Sequence, residues 1–193
     1  MVEVNCMPPK KEEKRSALLH AALELFAENG FNGASTALIA KRAGVATGTL
    51  FLYFKTKEEL IRELFREVRG QIHGIAFDSA GGMSIRERFF QAFSRILRYF
   101  LANPQEFKIV EQYHYSPLYS GECCTTGEND NFRNFLIHAR EEKAIKDAPL
   151  LVLESIAFGP IISIAKEHAS RGTVVDDAMI EQIVQACWDG LKR

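Results

Sequence analysis

Apolar residues return every three or four positions along nearly the whole of this chain, and nowhere do they alternate with polar ones between turn signals. That spacing fits the 3.6-residue period of a helix and not the two-residue period of a strand. Leu18, Ala22, Leu25, Phe26 and Asn29 share one helical face, and Gly30 offers the left-handed stop that ends many helices. Ser35 or Thr36 can cap a short second helix whose apolar face is Ile39, Ala40 and Ala43, closed by Gly44. A tight turn then leads into a third short helix near Thr47–Phe54. Thr56-Lys57-Glu58-Glu59 reads as a capping box opening a fourth helix, expected to run to about Gly70, with Leu60, Ile61, Leu64, Phe65 and Val68 inside. A loop over Phe77–Ser84 follows. Ile85, Phe89, Phe93, Ile96, Leu97 and Phe100 form a strong stripe that should end before Asn103-Pro104, since the residue before proline avoids the helical region. Further helices are expected near 105–115, 131–145, 148–169 and 177–191, with a kink close to Pro160. The expectation is all-α, about nine helices: a three-helix head over 1–58, joined by a helix starting at 57 to a helical body over 59–193.

Composition narrows the class further. With 47% hydrophobic and 25% charged residues, 193 positions make an ordinary globular chain. No apolar run approaches the ~18 residues that span a bilayer, and the first sixteen residues hold no apolar export core. A cytoplasmic location with reduced thiols is therefore expected for Cys6, Cys123, Cys124 and Cys187, with no membrane partner. The net charge of −1 excludes a uniformly basic coat, but it hides an asymmetry: residues 1–57 carry eight Lys/Arg against five Asp/Glu, and the remainder is net acidic. A basic head on an acidic body suits a protein that meets a polyanion with one end. The mixed segment Lys10-Lys11-Glu12-Glu13-Lys14-Arg15 reads either as an arm reaching phosphate or the minor groove, or as a solvated helix start, the plainer of the two.

Two short helices joined by a glycine turn and flanked by longer ones describe a helix-turn-helix DNA-binding unit. The run from Ile39 through Ala43-Gly44-Val45, Thr47-Gly48-Thr49-Leu50, Tyr53-Phe54-Lys55 and Lys57-Glu58-Glu59-Leu60 resembles the DNA-binding signature of the TetR (tetracycline-repressor-type) family of transcriptional regulators. Ala21-Ala22, Leu25-Phe26, Gly30-Phe31 and Ser35-Thr36 extend the likeness over residues 14–62. It implies double-stranded operator DNA as a partner, a C-terminal domain that binds a small effector, and a homodimer paired through the last two helices. No cofactor, metal or catalytic residue is implied.

The residues support this on their own chemistry. Ile39, Ala40, Ala43, Val45, Leu50 and Phe54 are small or apolar where two helices must cross. The other side of the third helix shows Thr47, Thr49, Leu52 and Tyr53, whose hydroxyls suit phosphates or base edges and whose leucine suits a thymine methyl. Gly48 allows close backbone approach, and Lys57 lies beside helix N-terminal amides that favour phosphate. The candidate DNA-binding set is Ser35, Thr36, Ala46, Thr47, Gly48, Thr49, Phe51, Leu52, Tyr53 and Lys57. Three departures from the family stand out. Ala46 replaces the usual serine cap, Phe51 replaces a tyrosine that touches phosphate, and the third helix has no Arg, Gln or Asn for a bidentate base contact. DNA shape should then contribute more than direct readout, and the site should be pseudo-palindromic.

In the body, residues 77–135 hold eight phenylalanines and four tyrosines, about double the chain's aromatic content of 10%. An aromatic cavity with few polar groups suits a planar or lipophilic effector, with Phe89, Phe93, Phe100, Phe107 and Tyr113 as candidate lining. Helix 148–169 is apolar on most sides and must be buried by a core or a partner. The candidate dimer residues are Ile156, Ile161, Ile164, Ile180, Ile183, Val184, Cys187 and Trp188. The fourth helix is expected to be the only covalent link, so that a wedged effector pivots it and misplaces both recognition helices. Two other readings use Cys123-Cys124: a redox-sensing repressor, or a cysteine-dependent enzyme with His114 or His138 as base. No phosphate loop or nucleophile elbow accompanies them, and the His-x8-Cys-Cys-x13-His spacing does not suit a tetrahedral zinc site.

Overall fold

The computed structural model describes residues 9–77, 82–119 and 131–193, and among these it shows nine helices and no strand. They are α1 (Pro9–Gly33), α2 (Thr36–Arg42), α3 (Thr47–Tyr53), α4 (Lys57–Phe77), α5 (Ile85–Ala102), α6 (Pro104–His114), α7 (Asn131–Glu141), α8 (Leu150–Arg171) and α9 (Asp177–Leu191). The basic N-terminal segment is the start of α1, with Lys11, Glu12, Glu13 and Lys14 exposed. The helix α4 runs a full turn and more beyond the expected Gly70. Cys6, Cys123 and Cys124 lie outside the described residues.

Helix ends follow their local chemistry. Ser35 caps α2 by accepting the Leu38 amide at 3.2 Å. Ser84 and Glu87 form a reciprocal capping box on α5, and the Ser84 hydroxyl and amide hold the Glu87 carboxyl below its usual range. Asp176 caps α9 through the Met179 amide at 2.8 Å. The α2 helix closes in a Schellman motif: Val45 N–H reaches Ala40 O at 3.0 Å and Gly44 N–H reaches Lys41 O at 3.2 Å, with Gly44 at φ 70. The α7 helix ends the same way without a glycine. Lys143 takes φ 57, its amide bonds Arg140 O, and Ala144 N–H bonds Ala139 O, so α7 stops four residues before the sequence expectation. The α8 helix continues through Pro160 as one element and closes on Gly172 at φ 68.

The chain divides into two compact units. One comprises Met1–Val68 and Ile109–Leu118; the other comprises Arg69–Lys108 and Tyr119–Arg193. The head thus takes in the first half of α4 and the second half of α6, rather than ending at residue 58. The chain crosses between units through α6 as well as through α4, so the fourth helix is not the only covalent connection.

In the head unit, Leu18, Leu25, Phe26, Ile39, Leu50, Phe54, Leu60 and Leu64 are buried. Burial of each such side chain contributes about 1.5–3 kcal/mol relative to exposure. Arg15 ties α1 to α4 through Glu63 at 3.0 Å and Glu67 at 2.6 Å, and Arg42 ties α2 to α1 through Glu24 at 2.9 Å. In the other unit, Phe89 stacks on Phe93 at 4.1 Å and tilts against Trp188 at 5.3 Å. Gly190 lets α9 approach α8 closely, since a Cβ there would meet Ile156 Cγ2 at 2.8 Å.

Candidate nucleic-acid interface

The α2–α3 pair is short, seven residues each, so its geometry is set by what it packs against. Ile39, Ala40 and Leu50 are its buried residues, and Phe54 fills the space after α3. Much of the remaining surface is open. Leu52 is 83% exposed and Phe51 45%, while Thr47 and Gly48 are also open. Beyond its chain neighbours and the backbone of its own helix, no protein atom lies within 4 Å of where a Gly48 Cβ would stand. Packing in this chain therefore gives no reason for glycine there, whereas a close-approaching ligand backbone does.

Ser35 and Ala46 are exposed, and Thr36, Thr49, Tyr53 and Lys57 are half-buried. The Ser35 oxygen already accepts the Leu38 amide, which leaves its O–H able to donate to a phosphate. Ala46 makes no side-chain cap, so α3 begins with amides that have no side-chain acceptor from that position. Lys57 Nζ lies 5.9 Å from the centre of the Phe26 ring, which steadies the side chain at the first turn of α4. Behind it, Glu59 N–H donates to Thr56 Oγ1 at 3.1 Å, and the Glu59 carboxylate accepts the Lys55 amide at 2.7 Å. Its own amide, the Thr56 hydroxyl and nearby cations hold the Glu58 carboxyl below its usual range.

The basic excess of the head is smaller at this surface than a count of charges implies. Arg15 and Arg42 are engaged by glutamates of α1 and α4. Lys41 and Lys55, outside the candidate set, are exposed at the end of α2 and after α3. The exposure of Lys41 follows from the same period that buries Ile39 and Ala40.

Of the candidate effector residues, Phe89, Phe93, Phe100 and Phe107 lie in the second unit and Tyr113 in the head unit. Phe89, Phe93, Phe100, Phe107 and Tyr113 are all buried. Phe89 pairs with Phe93, and Phe100 meets Phe107 edge-on at 5.2 Å. Tyr113 belongs to the head unit, where it stacks on Phe65 at 3.9 Å and donates to Leu118 O at 3.3 Å. Phe132 and Phe158, outside the sequence set, are half-buried and meet each other at 5.4 Å, and Phe93 at 6.0 and 4.9 Å respectively.

The candidate dimer residues divide. Ile161, Ile180, Val184, Cys187 and Trp188 are enclosed by this chain's own core, and only Ile156, Ile164 and Ile183 are half-buried. The outward face of α8 and α9 carries Leu151, 74% exposed, with Val152 and Met179. Burial pushes the Cys187 thiol up to about 11, which makes it a poor nucleophile. Among the described residues no three His, Cys, Asp or Glu side chains group as a metal site, and no helix is long and apolar enough to cross a membrane.

Residues 18–64 match the family described as bacterial regulatory proteins, tetR family, and residues 84–192 match the tetracyclin repressor-like C-terminal domain. A fatty acid metabolism regulator protein of Bacillus subtilis is 47% identical over 62 residues, a match spanning 32% of this chain and 32% of that protein. A crystal structure of a TetR family transcription regulator from Marinobacter aquaeolei VT8 superposes with TM-score 0.88 at 28% identity, covering 96% of this chain and 99% of that one. FadR from Bacillus subtilis, solved in complex with stearoyl-CoA, is similar in fold, with TM-score 0.76 at 23% identity over 91% of this chain and 98% of that one. An exposed, apolar-tipped third helix on a buried three-helix scaffold, matched at both ends of the chain, leads to one assignment: the chain belongs to the TetR family of bacterial transcriptional regulators.

Proposed function

We propose that the protein is a homodimeric repressor that binds a pseudo-palindromic operator through α3 and leaves it when a lipophilic effector enters the C-terminal unit. The observation that carries this is α3 itself. This seven-residue helix buries Leu50 fully, half-buries Thr49 and Tyr53, and leaves Thr47, Gly48, Phe51 and Leu52 open. Leu52 and the adjacent Phe51 put apolar side chains on the open side of α3, where a thymine methyl can meet them. Five of the candidate residues, with Lys55 beside them, fall into roles on this reading. Ser35, Lys57 and Lys55 position the head on phosphates, while Thr47, Thr49 and Leu52 meet base edges and thymine methyls.

The two-fold partner is a second copy of this chain, joined over the outward residues of α8 and α9. Leu151, Val152 and Met179 serve there, with Ile156, Ile164 and Ile183 at the rim of the same surface. The 47% identity to a fatty acid metabolism regulator extends over 62 residues, 32% of either chain, so it does not by itself carry that relative's effector over to this one. For the effector, the lining that fits is Phe132 and Phe158 over the buried Phe93, because half-buried rings can part around a ligand at lower cost than fully enclosed ones. A fold neighbour that holds stearoyl-CoA makes long-chain acyl thioesters the first class to try. A reduced cytoplasm fits this role.

The test starts from a random duplex library enriched on the full-length protein. The enriched duplex should protect two half-sites about one helical turn, ~34–36 Å, apart. Leu151→Glu/Val152→Glu should give a monomer in sedimentation that protects neither half-site fully. Acyl-CoA thioesters of graded chain length should release the wild type from DNA. A monomeric wild type with a single protected half-site would overturn the dimeric reading.

A further inference from the structure

Residue Gln112, near the end of α6, bridges a break in α1. At Gly30 the backbone takes φ 72 and ψ 167, a region essentially closed to residues with a Cβ, so α1 leaves its helical path there. This is not the left-handed cap the sequence suggested, because ψ is extended. The Phe31 amide is the first beyond the break, and it donates to Gln112 Oε1 at 3.0 Å. The Nε2 of the same side chain donates to Phe26 O, also at 3.0 Å. One carboxamide thus joins a carbonyl before the break to an amide after it, as an inserted peptide unit would. Its orientation is forced, since the amide can only donate and the carbonyl can only accept. Asn29 Nδ2 caps Leu25 O at 3.2 Å beside it, and Phe31 packs edge-on against Phe26 at 5.2 Å.

The chain beyond this bridge is short. Ala34 N–H returns to Gly30 O at 3.3 Å, Ala34 is buried, and Ser35 is already the cap of α2. Whatever fixes residues 26–31 therefore fixes where the helix-turn-helix begins. We propose that Gln112 is a positioning residue for DNA binding: its carboxamide sets the angle at which α1 delivers the chain to α2 and α3. This inference rests on the DNA-binding reading of the head. Glutamine suits the task because it carries donor and acceptor on one planar group. Glutamate lacks the donor when ionised, and methionine fills the space with neither. The same helix opens in the C-terminal unit, where Tyr99 O–H donates to Glu106. The α6 helix is therefore a second element, besides α4, whose displacement reaches the head.

The experiment uses full-length wild type, Gln112→Ala, Gln112→Met and Gln112→Glu, with the exposed Gln105→Ala as control. Affinity is measured for the duplex enriched on wild type and for a random-sequence duplex, with circular dichroism for folding and hydrogen exchange over residues 26–34. Gln112→Ala and Gln112→Met should exchange faster there and lose about tenfold on the enriched duplex. On the random duplex they should stay within about twofold, because phosphate contacts tolerate a small change of pose better than base contacts do. Gln112→Glu should match them near neutrality and recover as pH falls toward its carboxyl range of about 4–5, where protonation restores a donor. Gln112→Met keeps the side-chain volume, so it answers the question if Gln112→Ala unfolds. Folded variants that bind the enriched duplex like wild type overturn the inference alone. Equal losses on both duplexes with unchanged exchange overturn it too. A wild type that enriches no duplex overturns the DNA-binding reading, and this inference with it.

Discussion

The head and the C-terminal unit use apolar residues in opposite ways. In α2 and α3 the fully buried residues are few, Ile39, Ala40 and Leu50; Thr36, Thr49 and Tyr53 are half-buried, and the rest face outward. In α8, by contrast, apolar residues lie on nearly every side, and Leu153, Ala157, Ile161 and Ala165 are the four that face inward. In α2 and α3 the large apolar residues outside the buried stripe, Leu38, Phe51 and Leu52, are few and exposed. Where the apolar count exceeds one stripe, identity alone does not say which leucine or isoleucine faces the core. The head shows its working surface in its sequence, and the C-terminal unit shows it only after folding.

The contrast is most sharply tested by removing one apolar residue from each region. Phe89→Ala should lose about 3–5 kcal/mol of stability, the usual range for truncating a buried phenylalanine. Leu52→Ala should change stability by no more than about 0.5 kcal/mol, as exposed sites do. Urea unfolding gives both values. Comparable losses would erase the distinction between an enclosed aromatic core and an outward-facing reading helix. A tolerant Phe89→Ala would show that the space around that ring is loosely filled.

A second substitution sets function against stability within α3. Gly48→Ala meets open space, so folding should be unharmed or helped, by up to about 1 kcal/mol from helix propensity. Affinity for the enriched duplex should nonetheless fall by about tenfold, since a methyl blocks the close approach of DNA. Fluorescence anisotropy and a thermal scan on one preparation settle both. Unchanged affinity would mean that the open space at Gly48 is never occupied.

Ala46→Ser should restore the missing cap of α3 and raise stability by about 1 kcal/mol. Thermal unfolding reads this directly, and a null result would show that solvent or packing already serves those amides. The smallest effect near neutrality comes from Cys187, whose thiol burial raises from 9.0 to about 11. Below the lower value the thiol is protonated in both folded and unfolded chains, and nothing changes. As pH rises from there toward the folded value, the unfolded chain ionises first and stability falls. Cys187→Ala should make that alkaline decline shallower while leaving the neutral range parallel to wild type.

Most of the fold was legible because each helix carries one dominant period and a recognisable start. Ser35, Thr56 and Ser84 cap as their positions suggest, and Gly44 closes α2. What escaped were features without a local signature. The α7 helix ends on Lys143 at positive φ, where no glycine announces the stop. The carboxylate of Glu59 takes the Lys55 amide rather than that of Thr56 itself. Gln112 is separated from Phe31 by 81 positions, so no pattern within a helix could join them. The dimer and effector candidates were chosen by apolar character, and the residues with the most of it are those the chain buries in its own core. Tyr113 belongs to the head unit for the same reason, as its ring completes the packing against Phe65.

The central claim is that one edge of the head reads DNA, with separate residues for holding and for selecting. It is tested most directly by measuring the affinity of wild type, Lys57→Ala and Thr47→Ala for the enriched duplex and its single-base variants over a range of salt concentrations. Lys57→Ala should weaken all duplexes alike and lower the slope of log affinity against log salt by about one unit, the release of one counterion. Thr47→Ala should leave the slope unchanged and alter the preference at particular base pairs. Losses that are equal for both variants across every duplex, with no change in slope, would contradict the account.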